Sequence, residues 1–329
     1  MRVFLIAGLL AAALMLPAVS PGVSAGGPPT STTLTTKPDN VSAFSWPYYL
    51  YIPPTAEANG AAGDVLHLLV AANNTGRVTD DYIEHEAAAL NLISTIATPG
   101  YHLACPCLVP VFPRPAEHDS IYTHALDRDC LTTGIDGLER LDLQLIAMID
   151  DARNQLKLRG WRVSDKVLIT GFSASGMFAN RFTVLHPDRV LAAAVGAPGG
   201  WPIAPVAQWQ GHALPYPVGV DDLSALTGQD FMEKAHREVP HLFFMGGKDE
   251  NDSVIFRDGY SESDEDLILK LFGETPRGRW PIAEKIYKFM GAKAEFRLYP
   301  DAGHEISERM NEDVARFFMK VLAESTGRP

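Results

Sequence analysis

The chain has 329 residues, with 40 acidic against 28 basic side chains and a formal net charge of −12 at pH 7. A surface this acidic repels phosphate backbones and anionic lipid, which excludes nucleic acid as an expected partner and favours neutral substrates. Three cysteines are too few, and odd in number, for a disulfide framework to carry stability.

Met1-Arg2, an apolar run over 3–16 and small residues up to Ala25 have the form of a secretory signal peptide cut near Ala25, too short to span a membrane. No later stretch is apolar and long enough for membrane insertion, so the expectation is a secreted, extracellular monomer. Residues 26–41 are rich in Gly, Pro, Ser and Thr and read as a flexible tail. The remaining 42–329 read as one domain, a size that α/β folds reach with a single core.

From 44 to 52 strand residues alternate roughly and stop at Pro53-Pro54. Residues 65–70 read as a buried strand running into Ala71-Ala72-Asn73-Asn74-Thr75-Gly76, and 80–96 as a helix with an acidic start. Residues 108–113 form the next strand, whose prolines place it near an edge or at a strand end. Ile135, Leu138, Leu141, Leu145, Ile149 and Ala152 mark a long amphipathic helix that ends at Arg159-Gly160. Next come the strand Val167-Leu168-Ile169-Thr170, a helix up to His186 that Pro187 stops, and a short strand over 190–195. Periodicity fades across 201–239 while Pro, Trp, Tyr and Phe accumulate, which predicts a lid or cap insertion after the sixth strand. A strand over 242–245, a helical pair over 264–290, a strand over 295–299 and a helix over 311–323 complete the chain. Strands alternating with helices predict an α/β fold, a mostly parallel central sheet covered on both faces.

In such a sheet, chemistry sits in the loops beyond the carboxyl ends of the strands. One of those ends reads Gly171-Phe172-Ser173-Ala174-Ser175-Gly176. Small residues two before and two after Ser173 suit a sharp strand-to-helix turn that exposes a nucleophile, although Ser175 stands where glycine is usual. The strand ending near Met245 delivers Gly246-Gly247-Lys248-Asp249-Glu250-Asn251-Asp252, and the last strand delivers Pro300-Asp301-Ala302-Gly303-His304. Serine, carboxylate and histidine thus follow three strand ends in that order, a coincidence that a plain turn would not produce. Either Asp249 or Asp252 can be the acid; Asp249 has the shorter reach from the strand, and Asp252 reads by default as a turn residue.

With these pieces the chain resembles the α/β-hydrolase superfamily, most of all exported bacterial esterases and polyester depolymerase-like serine hydrolases. The resemblance covers nearly all of 42–329 and implies Ser173 as nucleophile, His304 as base and Asp249 as orienting acid. It implies an oxyanion hole from the backbone of Ala174 with Asn74 or Thr75, no cofactor, and a small-molecule or polymeric ester as substrate. Trp201, Trp209, Tyr216 and Phe231 are expected to line an acyl or alcohol pocket, or else to pack the lid. A non-catalytic extracellular binding protein on the same fold is the alternative from another functional class.

No metal is expected. Glu84-His85-Glu86 begins like a zinc helix, but Ala89 occupies the place of the second histidine. The acidic run of Glu262, Asp264, Glu265 and Asp266 lacks the pattern of a calcium loop, and Cys105-Pro106-Cys107 lacks a second ligand pair. Export allows one disulfide, for which Cys130 with Cys105 or Cys107 is the expectation.

Overall fold

The computed structural model describes residues 31–39, 41–73, 76–96 and 103–326. The leader over 1–25, Asn74 and Thr75 lie outside the described residues. Eight strands form one sheet: β1 Thr32–Thr36, β2 Tyr48–Ile52, β3 Leu69–Ala71, β4 Cys107–Pro110, β5 Val167–Phe172, β6 Val190–Gly196, β7 His241–Gly246 and β8 Ala294–Tyr299. Their order across the sheet is β1-β2-β4-β3-β5-β6-β7-β8. β2 pairs antiparallel with both β1 and β4, and every pair from β4 to β8 is parallel. Six helices carry most of the cover: α1 Tyr82–Ile96, α2 Leu141–Leu158, α3 Ala174–Leu185, α4 Glu262–Phe272, α5 Pro276–Phe289 and α6 Glu308–Thr326.

This is the mostly parallel α/β architecture that the alternation of elements predicts. The central strands are apolar on both faces, as strands with helices above and below must be: Val167, Leu168 and Ile169 of β5 and Ala192, Ala193 and Ala194 of β6 are fully buried. The alanines of β6 keep that strand thin. A Cβ at Gly176 would stand 2.3 Å from the Gly196 carbonyl oxygen, so glycine is what allows α3 to lie this close to β6.

Two expectations are corrected here. The tail predicted over 26–41 is not wholly irregular: Thr32 to Thr36 pair with Ile52 to Tyr48 as edge strand β1. Four β-branched threonines favour extended backbone, and Leu34 packs against the core, a local signal diluted by the Gly and Pro around it. The expected disulfide is absent as well, because Cys105, Cys107 and Cys130 are all free thiols inside the core. Burial pushes the Cys105 thiol up to about 12 and raises those of Cys107 and Cys130, so all three behave as small apolar side chains.

Three buried histidines set the response to acid. Burial lowers His124 and His241 to about 4 and puts His236 well below its ordinary value. Below about pH 6.5 the unfolded chain takes up a proton at His124 and at His241, while the folded chain cannot until near pH 4. Stability therefore falls as pH drops through that window, by roughly 3 kcal/mol apiece for His124 and His241. His236 is fully buried with neither ring nitrogen hydrogen-bonded. Replacing it by phenylalanine removes an unsatisfied polar group, so His236→Phe is expected to raise the urea midpoint, and more at pH 5 than at pH 7.5. An equal or lower midpoint at both values would contradict this account.

Candidate active site

The turn after β5 is where the chain is most constrained. Ser173 has φ 60° and ψ −125°, a left-handed conformation unusual for a side chain larger than hydrogen. The backbone doubles back so tightly that a Cβ on Gly171 would lie 2.0 Å from the Ser175 carbonyl oxygen. Ser175 does more than leave room. Its hydroxyl accepts a hydrogen bond from the Phe172 amide and donates one to the Phe172 carbonyl, both at 2.9 Å. The Ser173 amide donates to the Gly196 carbonyl at 2.9 Å, which ties the turn to β6. These bonds hold the Ser173 side chain at the amino end of α3, where first-turn amides have no acceptor within the helix.

The loops after β7 and β8 reach the same place. The Gly247 amide donates to the Tyr299 carbonyl at 2.7 Å and the Lys248 amide to the Ala302 carbonyl at 2.9 Å. A Cβ on Gly246 would come within 2.1 Å of the Gly303 carbonyl oxygen, so the Gly246-Gly247 pair is what lets these two loops touch. Asp249 and His304 are thereby brought together. His304 Nδ1 lies 2.9 Å from Asp249 Oδ2 and 3.1 Å from Oδ1, and His304 Nε2 lies 3.0 Å from Ser173 Oγ. With an ionised Asp249 as acceptor, Nδ1 carries the proton and Nε2 presents a lone pair to the Ser173 hydroxyl. The Asp249 carboxylate is almost wholly buried, while the His304 side chain retains 29% of its exposure. The serine–histidine end thus opens to solvent and the acid end is dry. The Phe172 ring packs against the imidazole, with centroids 4.9 Å apart.

Asp252 has a different job. The fully buried Arg279 of α5 donates to its Oδ1 at 2.8 Å, to the Gly273 carbonyl at 2.8 Å, to the Glu274 carbonyl at 3.1 Å and to the Gly200 carbonyl at 3.4 Å. One guanidinium therefore fastens the loop after β6, the acid loop after β7 and the turn between α4 and α5. Removing one member of a buried ion pair strands the other's charge, a loss of about 3–5 kcal/mol. Arg279→Met is expected to lower urea stability by about that much, and Arg279→Met combined with Asp252→Leu to recover part of it. A single variant as stable as the parent would contradict this assignment.

The aromatic residues expected to line a pocket are elsewhere. Trp201 is 1% exposed, stacks on Phe272 with centroids 3.9 Å apart, and donates from Nε1 to the Val218 carbonyl. Tyr216 is fully buried, its hydroxyl bonded to the Leu126 carbonyl. Trp209 lies against Phe289 at the end of α5, the helix that leads into the amino end of β8, whereas His304 follows the carboxyl end of that strand. Phe231 lines a small cleft with Leu185 and His186, at the far end of the 12-residue α3 from Ser173. Most apolar residues of 201–239 are turned inward, with two residue pairs, Gln208–Trp209 and His212–Ala213, forming a small ribbon. An irregular segment has no period from which to read the direction of a side chain, and large aromatics are driven inward by their area. Exposed apolar groups that sequence reasoning missed lie in the loops that carry Asp249 and His304: Ile255 and Phe256 in the acid loop, 47% and 68% exposed, and Ile306, 42% exposed, two residues beyond His304. Val254-Ile255-Phe256, a short apolar run in a loop just past the acid, is the available signal.

Of the oxyanion residues, Ala174 is N1 of α3. Asn73, beside the undescribed Asn74 and Thr75, is 2% exposed, and its side-chain amide has no hydrogen-bond partner among the described residues. His85 is a buried residue of α1, its Nε2 3.0 Å from the Thr79 carbonyl. His186 Nε2 lies 2.9 Å from Asp142 Oδ2. Burial alone would raise the Asp142 carboxyl, but the bonds from His186 and Arg140 outweigh it and hold that carboxyl down at about 2.

No protein-family model matches the sequence, and no curated protein matches it. Among solved structures, the chain is similar to poly(aspartic acid) hydrolase-1 from Sphingomonas sp. KT-1, at 20% identity over 88% of this chain and 97% of that one, with a TM-score of 0.55. It is similar also to a poly(3-hydroxybutyrate) depolymerase from Bordetella parapertussis, at 15% identity over 88% of this chain and 89% of that one, with a TM-score of 0.51. At these identities the likeness is one of fold. The chain has the α/β-hydrolase fold, built on its mostly parallel eight-stranded sheet.

Proposed function

We propose that this chain is a secreted carboxylic-ester hydrolase that forms an acyl-enzyme on Ser173. The observation that carries the reading is the unbroken hydrogen-bonded chain from Ser173 Oγ through His304 to Asp249, mounted on a strained turn that exposes the serine. A serine hydroxyl is a weak nucleophile until a base takes its proton. His304 Nε2 is placed to do so as Oγ attacks the ester carbonyl carbon. Asp249 fixes the imidazole tautomer and stabilises the imidazolium. His304 then returns the proton to the departing alcohol, and a water activated by the same nitrogen releases the acid.

Charge that develops on the carbonyl oxygen needs donors already in place. The Ala174 amide, at the positive end of the α3 dipole, is one, and the backbone of Asn74 or Thr75 is proposed as the other. None of these steps needs a cofactor. Exposed Ile255 and Phe256 in the acid loop and exposed Ile306 just past His304 favour a second reading, a depolymerase acting on an insoluble polyester. Turnover of p-nitrophenyl esters graded by acyl length, measured beside mass loss from a polyester film, tests both. Ester turnover without film loss supports the first reading, film loss exceeding it supports the second, and neither activity in folded protein overturns both.

A further inference from the structure

A second cleft lies on the β2–β4 side of the sheet and encloses about 230 Å3. Ser173, Asp249 and His304 take no part in its wall. Trp46 and Tyr82 form one side, stacked with ring centroids 5.3 Å apart and planes at 22°, and Pro113 and Ile135 contribute further apolar surface. Both aromatic polar tips are already occupied by backbone: Trp46 Nε1 donates to the Gly137 carbonyl at 2.7 Å and the Tyr82 hydroxyl to the Val111 carbonyl at 2.9 Å. What these two residues offer a guest is therefore ring surface and no hydrogen bond.

The charge on this cleft has one sign. Asp80 and Asp136 are exposed on its lining, and no Lys or Arg lines it. Asp80 Oδ1 accepts from the Ala116 and Glu117 amides at 2.8 and 3.2 Å, which fixes that carboxylate in place and leaves Oδ2. Asp136 has no hydrogen bond or ion pair among the described residues. Aromatic ring surface and carboxylates without a cationic partner around a cavity this small match an organic cation. The aromatic quadrupole attracts positive charge, the carboxylates add Coulombic attraction, and the apolar walls accept alkyl groups. An inorganic divalent ion would need several oxygen or nitrogen ligands, and no cluster of three such side chains able to hold a metal occurs among the described residues.

We propose that this cleft is a binding site for a substituted ammonium ion bearing short alkyl arms. The site is independent of the chemistry assigned to Ser173, so binding is best measured on the full-length Ser173→Ala protein, where no turnover intrudes. The probes are choline and 3,3-dimethylbutan-1-ol, which share a shape and differ in charge, titrated calorimetrically at pH 8. Choline is expected to bind about tenfold more tightly than the alcohol and to weaken with added salt. Asp136→Asn should cost choline roughly three- to fivefold and leave the alcohol unchanged. Because Asp136 is exposed and makes no bond, that variant should fold as the parent does. Equal affinities for the two probes, no response to Asp136→Asn, or no choline binding at millimolar concentration would overturn the proposal. Loss of ester hydrolysis as an activity would leave it standing.

Discussion

Ser173→Ala should lower kcat for p-nitrophenyl ester hydrolysis by roughly a million-fold while the protein stays folded. The size of the loss follows from removing the only atom that can form the covalent bond to the acyl carbon. Whatever rate persists would come from water attacking an ester still held against the Ala174 amide. The fold should be indifferent or slightly relieved. The Ser173 hydroxyl contacts His304 at a half-exposed position, and the bonds that hold the turn run through the Ser173 and Phe172 backbones and the Ser175 hydroxyl. Steady-state rates and a urea midpoint on the same preparation check both halves. A variant with unchanged midpoint and more than a tenth of the parent rate would refute the assignment.

Asp249→Asn should cost about 10^4-fold in kcat with little change in KM. The asparagine amide can keep the contact with the imidazole, but by donating to Nδ1 it stabilises the wrong tautomer, and Nε2 then carries a proton and faces Ser173 as a donor. An imidazolium formed during attack would also lose its counter-charge. Asp252→Asn is the informative partner, because Asp252 faces Arg279 rather than His304. It should lose stability, through a weakened buried ion pair, and retain activity in the fraction that folds. If the two variants exchanged these phenotypes, the acid would be Asp252.

Much of this arrangement was legible in the sequence because a parallel sheet sends every strand's carboxyl end to one edge. Ser173, Asp249 and His304 could be found as polar residues just past β5, β7 and β8 without knowing any distance. The identity of the acid was legible only as an order of reach. That Asp252 is held elsewhere depends on Arg279, whose position in α5 follows from packing between helices and has no local sign. β1 was hidden because Thr32 to Thr36 has strand character within a stretch whose composition reads as a tail. For Trp201, Trp209, Tyr216 and Phe231 the sequence leaves pocket lining and lid packing both open for a related reason: residues 201–239 have no period, so which way each ring points is decided by the body of the fold. Ser175 was read as a small residue only, yet its hydroxyl bonds both backbone groups of Phe172. The cysteines suggest a disulfide only on the expectation of export, while their burial makes them core side chains.

The central claim is that Ser173 is an activated nucleophile, and active-site labelling tests it without assuming a substrate. A fluorophosphonate reacts with a serine only where a base and an oxyanion site act on it. Incubating the folded protein with such a probe and mapping the adduct by peptide mass spectrometry should give one equivalent on the peptide containing Ser173, and none in Ser173→Ala or His304→Ala. Folded parent protein that takes up no probe, or takes it up at another residue, would contradict the account.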